Sequence, residues 1–201
     1  MNLSILIPTV VGREKQFNYI CAKLTKQIED SKLESKIEII TIKDNKEMSI
    51  GAKRQQLYNN ANGKFSVQID DDDDVSLDYC VKINEVIESG NFDCIGYFEN
   101  CLINGVQQRS VISNQYKQWQ TYDKPRNGIT YVRTPFFKTP IRTDICCSVG
   151  VSDMRFGEDH DFAIRVLPYL KKEHFIYRDM YYYRADSLTQ EQHRERYGIS
   201  N

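Results

Sequence analysis

Five consecutive aspartates, Asp70 to Asp74, directly follow an apolar run in the stretch QIDDDDDVS. In water, neighbouring ionised carboxylates about 6 Å apart repel by roughly 0.7 kcal/mol, and by more where solvent is partly excluded. The run therefore needs water, a helix N-terminus or a cation. An Asp-rich turn leading into a helix, with Asp74 or Ser76 as N-cap, would meet the positive end of the helix dipole. Equally, the carboxylates are hard oxygen donors of the kind that hold Mg²⁺ or Mn²⁺, which take one or two carboxylates and complete their shell with phosphate oxygens and water. If strand geometry persists, Asp70 and Asp72 point to one side and Asp72 is the leading direct ligand. With the register shifted, Asp73 takes that place.

A second acidic cluster stands in RFGEDHDFAIRV, residues 155–166. Gly157 reads as a turn, and Glu158, Asp159 and Asp161 fall in the first turn of a helix, where carboxylates complement the dipole. The same segment offers a carboxylate to act as general base. His160 is either a ligand or a polar surface residue.

The elements that must position these residues follow from the hydrophobic pattern. Leu3–Ile7 is a buried strand stopped by Pro8. Glu14–Asp30 is a helix with Phe17, Ile20, Cys21, Leu24 and Ile28 on one face. Ile37–Ile42 is a second strand, ending at Lys43–Asp44. Gly51–Asn60 is a polar helix closed by Asn62–Gly63 as C-cap. Phe65–Ile69 is a third strand, Val75–Ser89 a third helix stopped by Gly90, and Asp93–Phe98 a further strand. This alternation predicts an α/β fold with a mostly parallel central sheet flanked by helices, whose ligands bind beyond the carboxyl ends of the strands. Pro8–Thr9, Asp44 and Asp70–Asp74 all fall at such ends. After residue 98 the pattern changes: Leu102–Val106 signals a hairpin on Asn104–Gly105, and the segment to about residue 140 reads as irregular, a wall or lid for a second substrate.

The 201 residues suffice for one domain with a full core and are too few for two independent ones. A net charge of −1 gives no global attraction to nucleic acid or an anionic membrane. Locally, Lys171 to Arg196 mixes basic residues with Tyr177 and Tyr181–Tyr183, a combination that could face phosphates or form a solvated surface. The opening MNLSILIPTVVGR has too short an apolar run for a signal peptide or a membrane span, which predicts a cytoplasmic protein. Six cysteines without C-x-x-C spacing are then expected as small reduced core residues. Cys146 and Cys147 cannot share a face if they lie in a strand.

Taken together, SILIPT (4–9), GAKRQQLYNNANGKF (51–65), IDDDDD (69–74), FGEDHDFAIR (156–165) and, weakly, YYYRADSLT (181–189) resemble a GT-A-fold, family 2-type glycosyltransferase over nearly the whole chain. The resemblance implies a nucleotide-sugar-binding half, about residues 1–98, and an acceptor and catalytic-base half, about 99–201, within a single domain. It implies a metal-dependent, inverting transfer from a nucleotide-sugar, a UDP-sugar by default, to a glycan hydroxyl or to a modified DNA base. Asp159 would be the general base and Glu158 would orient that segment or touch the donor. Pro8, Thr9 and Asp44 would border the nucleoside, with Asp71 toward the ribose. Arg54, or Lys53, would approach the base or diphosphate, and Arg184 would reach phosphate from the tail. Asp72, Asp70 or Asp73 would hold the Mn²⁺ or Mg²⁺. PTVVGR departs from the family's usual polar turn, and Ala185–Asp186 stand where the family often has a histidine.

Two rivals share the motifs. Asp71–Val75 fits the Asp-x-Asp-x-Val nucleophile motif of haloacid dehalogenase-like, Mg²⁺-dependent phosphatases, although here it follows the third strand rather than the first. A non-catalytic nucleotide-binding module would keep the crevice without the base.

Overall fold

A computed structural model describes residues 1–185. Strand β1 (Leu3–Val10) is buried along all but its last residue, as its unbroken apolar run requires of a strand covered on both faces. It lies between β2 (Ile37–Asp44) and β3 (Phe65–Gln68), parallel to both. Pro8 does not stop β1: pairing with β3 ends at Leu6 and Gln68, while pairing with β2 continues to Val10 and Asp44.

Helix α1 (Glu14–Asp30) buries Ile20, Leu24, Gln27 and Ile28, the face its periodicity marks. Helix α2 (Ile50–Asn60) starts at Ser49, whose hydroxyl accepts from the Ala52 N–H at 3.0 Å. Its end departs from the expected glycine cap. Ala61 is already extended, and Gly63 is small for another reason: a Cβ there would stand 2.5 Å from the Ser4 nitrogen of β1.

The third helix, α3 (Tyr79–Ser89), begins four residues later than its pattern suggests. Asp74–Val75 instead form a two-residue strand, β4, antiparallel to Tyr181–Tyr182 of the last strand. Asp78, not Asp74 or Ser76, occupies the N-cap position.

Strand β5 (Cys94–Ile103) runs through residue 98 without a break and turns into β6 (Val106–Ile112) on Asn104–Gly105, both at positive φ, as the Asn-Gly signal predicts. The segment expected to be irregular is largely strand: β7 (Gln120–Arg126) and β8 (Ile129–Arg133) form a second hairpin on Asn127–Gly128, also at positive φ. The exposed, Pro125-containing β7 lies at the sheet edge, where proline is tolerated and apolar alternation is not needed. The chain continues through β9 (Ile141–Arg142), α4 (Thr143–Val149), α5 (Glu158–Val166), a 3-10 turn at Leu167–Tyr169, and β10 (Glu173–Ala185). Cys146 and Cys147 therefore lie in a helix, one buried and one exposed.

The strand order is β2-β1-β3-β9-β5-β6-β8-β7, with β10 alongside β5 and β4. The fold is thus α/β around a central parallel β2-β1-β3 unit, with a mixed extension beyond β3. Among the described residues no helix is long and apolar enough to cross a membrane.

Candidate active site

Because β1, β2 and β3 are parallel, their carboxyl ends share one edge, and the register places Thr9 beside Lys43 and Val10 beside Asp44. The chain leaving β3 bends sharply there. The Asp73 N–H donates to the Asp70 carbonyl at 3.1 Å, closing a turn over Asp71–Asp72. Strand geometry therefore stops before the aspartates, and Asp70 and Asp72 do not run on as same-face residues of a strand.

Every aspartate then meets a cation, Asp71 and Asp72 sharing one. Asp70 Oδ1 accepts from Arg54 Nη2 at 2.9 Å. Asp71 accepts from the Thr9 hydroxyl at 2.6 Å and pairs with Arg13 at 3.0 Å. Asp72, the exposed one of the five, is held by the same Arg13 nitrogen. Asp73 meets Lys138 at 2.9 Å and accepts from the Tyr181 hydroxyl at 2.8 Å and the Arg184 N–H at 3.1 Å. Asp74 meets Lys23 at 2.6 Å and Tyr19 at 3.1 Å, with Arg184 Nη2 at 3.6 Å. Cationic side chains, Lys23, Arg54 and Lys138 partly or fully buried and Arg13 on the solvent side, offset the repulsion in place of a helix dipole.

The electrostatics separate the aspartates. Burial would raise Asp70, but Arg54, with Lys138 and Arg13 behind it, reverses the sign and holds it below the usual carboxylate range. Burial pushes Asp71 up to about 6, against the Thr9 hydrogen bond and the Arg13 charge. It pushes Asp73 up to about 7 against Lys138, with Asp70 and Asp72 adding repulsion. Burial opposes the charge on Lys138, yet Asp73 and Glu99 outweigh it and hold the ammonium above the ordinary lysine range.

Helix α2 supplies the other cations. Lys53 is buried, bonded to the Thr9 carbonyl at 2.8 Å and paired with Asp44, so it ties β1 to β2 under the crevice. Asp44 also accepts from the Met48 N–H at 2.9 Å, and these partners hold its carboxyl low despite burial. Arg54 points to the other side of α2. Its Nε lies 3.2 Å from Glu158 Oε1, its Nη1 2.9 Å from Gln68 Oε1, and its guanidinium 4.6 Å from the Phe137 ring centroid.

Glu158 and Asp159 open α5 behind Gly157, which adopts φ +82°. Glu158 is buried; burial raises its carboxyl and Arg54 opposes the shift. Asp159 is half-buried, and among the described residues its Oδ1 accepts only from its neighbour's N–H, that of His160 at 2.7 Å. His160 is exposed and packs edge-on against Trp119 with ring centroids 5.0 Å apart. Asp161 turns away to Ser152 and Arg165, each at 2.7 Å.

The carboxyl-end edge of the sheet thus gathers Thr9, Asp44, Lys53, Arg54, Asp70–Asp73 and Glu158, with Pro8 next to Thr9 in β1, and Arg184 reaches it through its backbone. Arg13, Lys138, Gln68 and Tyr181 belong to it as well. The glycine-arginine pair Gly12–Arg13 at the end of PTVVGR is a sequence signal for the first, whereas Lys138 lies in the segment that looked irregular and carries no local signal. Among the described residues no three potential metal ligands converge. A divalent cation held by the exposed Asp72 and the part-exposed Asp70 would have to complete its shell with phosphate oxygens and water. Residues 186–201, including Arg194, Arg196 and most of the ADSLT portion of the last motif, lie outside the described residues.

The fold is one found in glycosyltransferases. It is shared with S. aureus TarS: the structure of TarS 1–349 superposes with a TM-score of 0.64 at 17% identity, over 92% of this chain and 60% of that one. TarS 1–349 in complex with UDP gives the same values, and the complex with UDP-GlcNAc gives 0.63 at 16% identity, over 92% of this chain and 58% of that one. The chain therefore spans about 60% of the length of the TarS 1–349 structure. No protein-family model and no curated protein sequence matches it.

Proposed function

We propose that the protein is a metal-dependent, inverting glycosyltransferase of the GT-A, family 2 type that moves a sugar from a UDP-sugar to an acceptor hydroxyl. The observation that carries this reading is the bridge made by Arg54. One guanidinium joins Asp70, at the strand end where a diphosphate would sit, to Glu158, the residue preceding the candidate base. The UDP and UDP-GlcNAc complexes of TarS support the choice of donor.

In this reading Asp159 accepts the proton of the acceptor hydroxyl as its oxygen attacks the anomeric carbon. The bond from that carbon to the diphosphate breaks, the electron pair leaves with UDP, and single displacement inverts the centre. Asp72, with Asp70 beside it, would hold Mn²⁺ or Mg²⁺; the chemistry such a cation supplies is Lewis-acid stabilisation of the leaving diphosphate. Arg54 keeps Glu158 and the start of α5 fixed relative to the donor side, and Thr9 and Asp44 border the nucleoside. A phosphatase reading would need Asp71 as an accessible nucleophile, but its side chain is 2% exposed beneath Arg13 and Thr9.

The acceptor is a glycan in the first reading. A DNA acceptor is favoured by one observation: residues 106–133, whose Trp119 touches His160 beside the base, carry Arg109, Lys117, Lys124, Arg126 and Arg133 against the single acid Asp123. A steep fall of transfer with added salt supports DNA; salt-independent transfer to an uncharged saccharide supports the glycan.

Calorimetric titration of UDP and UDP-sugars, with and without Mn²⁺, into wild type and Asp72→Asn tests the donor site. Binding that needs both the cation and Asp72 is the expected result. Metal-independent binding, or none, overturns the reading.

A further inference from the structure

Arg13 differs from the other cations that neutralise the aspartates. Arg54 and Lys138 are buried, with side chains 9% and 10% exposed, and approach from inside the fold. Arg13 comes from the solvent side with 37% of its side chain exposed, and it grips the one exposed aspartate, itself 45% exposed. A single nitrogen, Nη2, makes both carboxylate contacts, to Asp71 and to Asp72, so among the described residues the rest of the fork is left to donate elsewhere. The residue before it, Gly12, has φ +93°, and a side chain added there would meet nothing within 4 Å. Gly12 thus serves the loop through its backbone conformation and not through close packing.

A positive charge already sits on the carboxylate best placed to hold a divalent cation. Guanidinium and metal ion compete for the same oxygens and repel each other. A nucleoside diphosphate changes that balance, because its phosphate oxygens are better bidentate partners for a guanidinium than a shared carboxylate.

We propose that Arg13 is a built-in counterion of Asp72 that turns to the diphosphate of the donor when Asp72 is taken by a divalent cation. This rests on the donor reading given above. Cation and nucleotide then bind cooperatively: each is weak alone, because Arg13 holds Asp72 closed to the cation and Asp72 holds Arg13 away from the phosphate. The arrangement would keep the acidic turn from collecting cations when no donor is present.

The test measures Mn²⁺ binding, by the electron paramagnetic resonance signal of the free aqua ion, for wild type, Arg13→Gln and Arg13→Lys, each with and without UDP. In wild type, UDP should tighten Mn²⁺ binding by about 10-fold or more. Arg13→Gln should bind Mn²⁺ alone about 3-fold or more tightly than wild type, yet bind UDP about 10-fold more weakly at saturating Mn²⁺. Arg13→Lys, which keeps the charge but not the fork, should retain the weak binding of Mn²⁺ alone and lose part of the UDP affinity. If wild type and Arg13→Gln both bind Mn²⁺ with UDP but their affinities for Mn²⁺ alone are equal, the role of Arg13 is overturned and the donor reading stands. Absence of coupling between Mn²⁺ and UDP in wild type also overturns it, whatever the variants do. If wild type binds neither Mn²⁺ nor UDP under any condition, both fall together.

Discussion

The guanidinium of Arg54 and the carboxylate of Glu158 meet 3.2 Å apart although 104 residues separate them in the chain. Both are buried, and the same guanidinium reaches Asp70 and Gln68, so one side chain couples α2, the end of β3 and the start of α5. Arg54→Met would leave Glu158 and Asp70 without their cation. Breaking a buried pair from one side costs about 3–5 kcal/mol, and urea denaturation should show a loss of that order. Arg54→Lys cannot span three acceptors and should lose roughly half as much. A change below about 0.5 kcal/mol for Arg54→Met would mean that Arg54 does not hold these elements together.

Gly51 makes a second link between the two halves of the crevice. Its N–H donates to the Met154 carbonyl at 3.0 Å, and a Cβ there would stand 2.0 Å from the Ser152 carbonyl oxygen and 2.8 Å from the Met154 nitrogen. All of these are backbone atoms, so the neighbour can give way only by moving the segment that leads to Glu158. Gly51→Ala should destabilise the fold by about 3 kcal/mol, the upper end for an overpacked site. An unchanged melting temperature would show that the 152–154 segment yields without cost.

Asp159 tests the chemistry with little risk to the fold, because among the described residues its carboxylate accepts a hydrogen bond from the N–H of the following residue alone, with Arg133 near it only electrostatically. Asp159→Asn should lower transfer by about 10²–10⁴-fold. UDP binding by calorimetry should be retained. Full turnover in the variant would exclude it as the base, and a protein that binds nucleotide but never turns over would be a binding module.

The acidic turn also sets a pH dependence. Burial raises Asp71 to about 6 and Asp73 to about 7, above the roughly 3.9 of an aspartate in an unfolded chain. Between those limits the native state binds more protons than the unfolded one, so these two groups make the fold less stable as pH rises from about 4 to 7. Asp44, Asp78 and Asp161 are shifted the other way, and their stabilisation is lost only as pH falls below about 4. In chelator, the urea midpoint should therefore rise from pH 8 to pH 5 and fall again below about pH 4. Asp71→Asn should flatten the first limb; a limb that keeps its full slope in that variant would assign the effect to other groups.

The local signals determined much of this molecule. The unbroken apolar run of β1, the amphipathic period of α1, the Asn104–Gly105 turn and the glycine ahead of α5 are all properties of a few adjacent residues, and each element formed where they pointed. The convergence of Thr9, Asp44 and the aspartates at one edge also followed, since parallel strands must end together. The β7–β8 hairpin was missed: an exposed edge strand needs no apolar alternation, and its one local mark is the turn at Asn127–Gly128. What the sequence could not decide was the partner of each aspartate. Charge pairing is non-local: the cations sit at the start of α1 (Arg13), within α1 (Lys23), in α2 (Arg54) and in the turn before β9 (Lys138), and nothing in the neighbours of Lys23, Arg54 or Lys138 marks them as counterions of these aspartates. Only the tertiary structure, by burying Asp71, Asp73 and Asp74 where water screens poorly, required those cations and fixed which carboxylates each would meet.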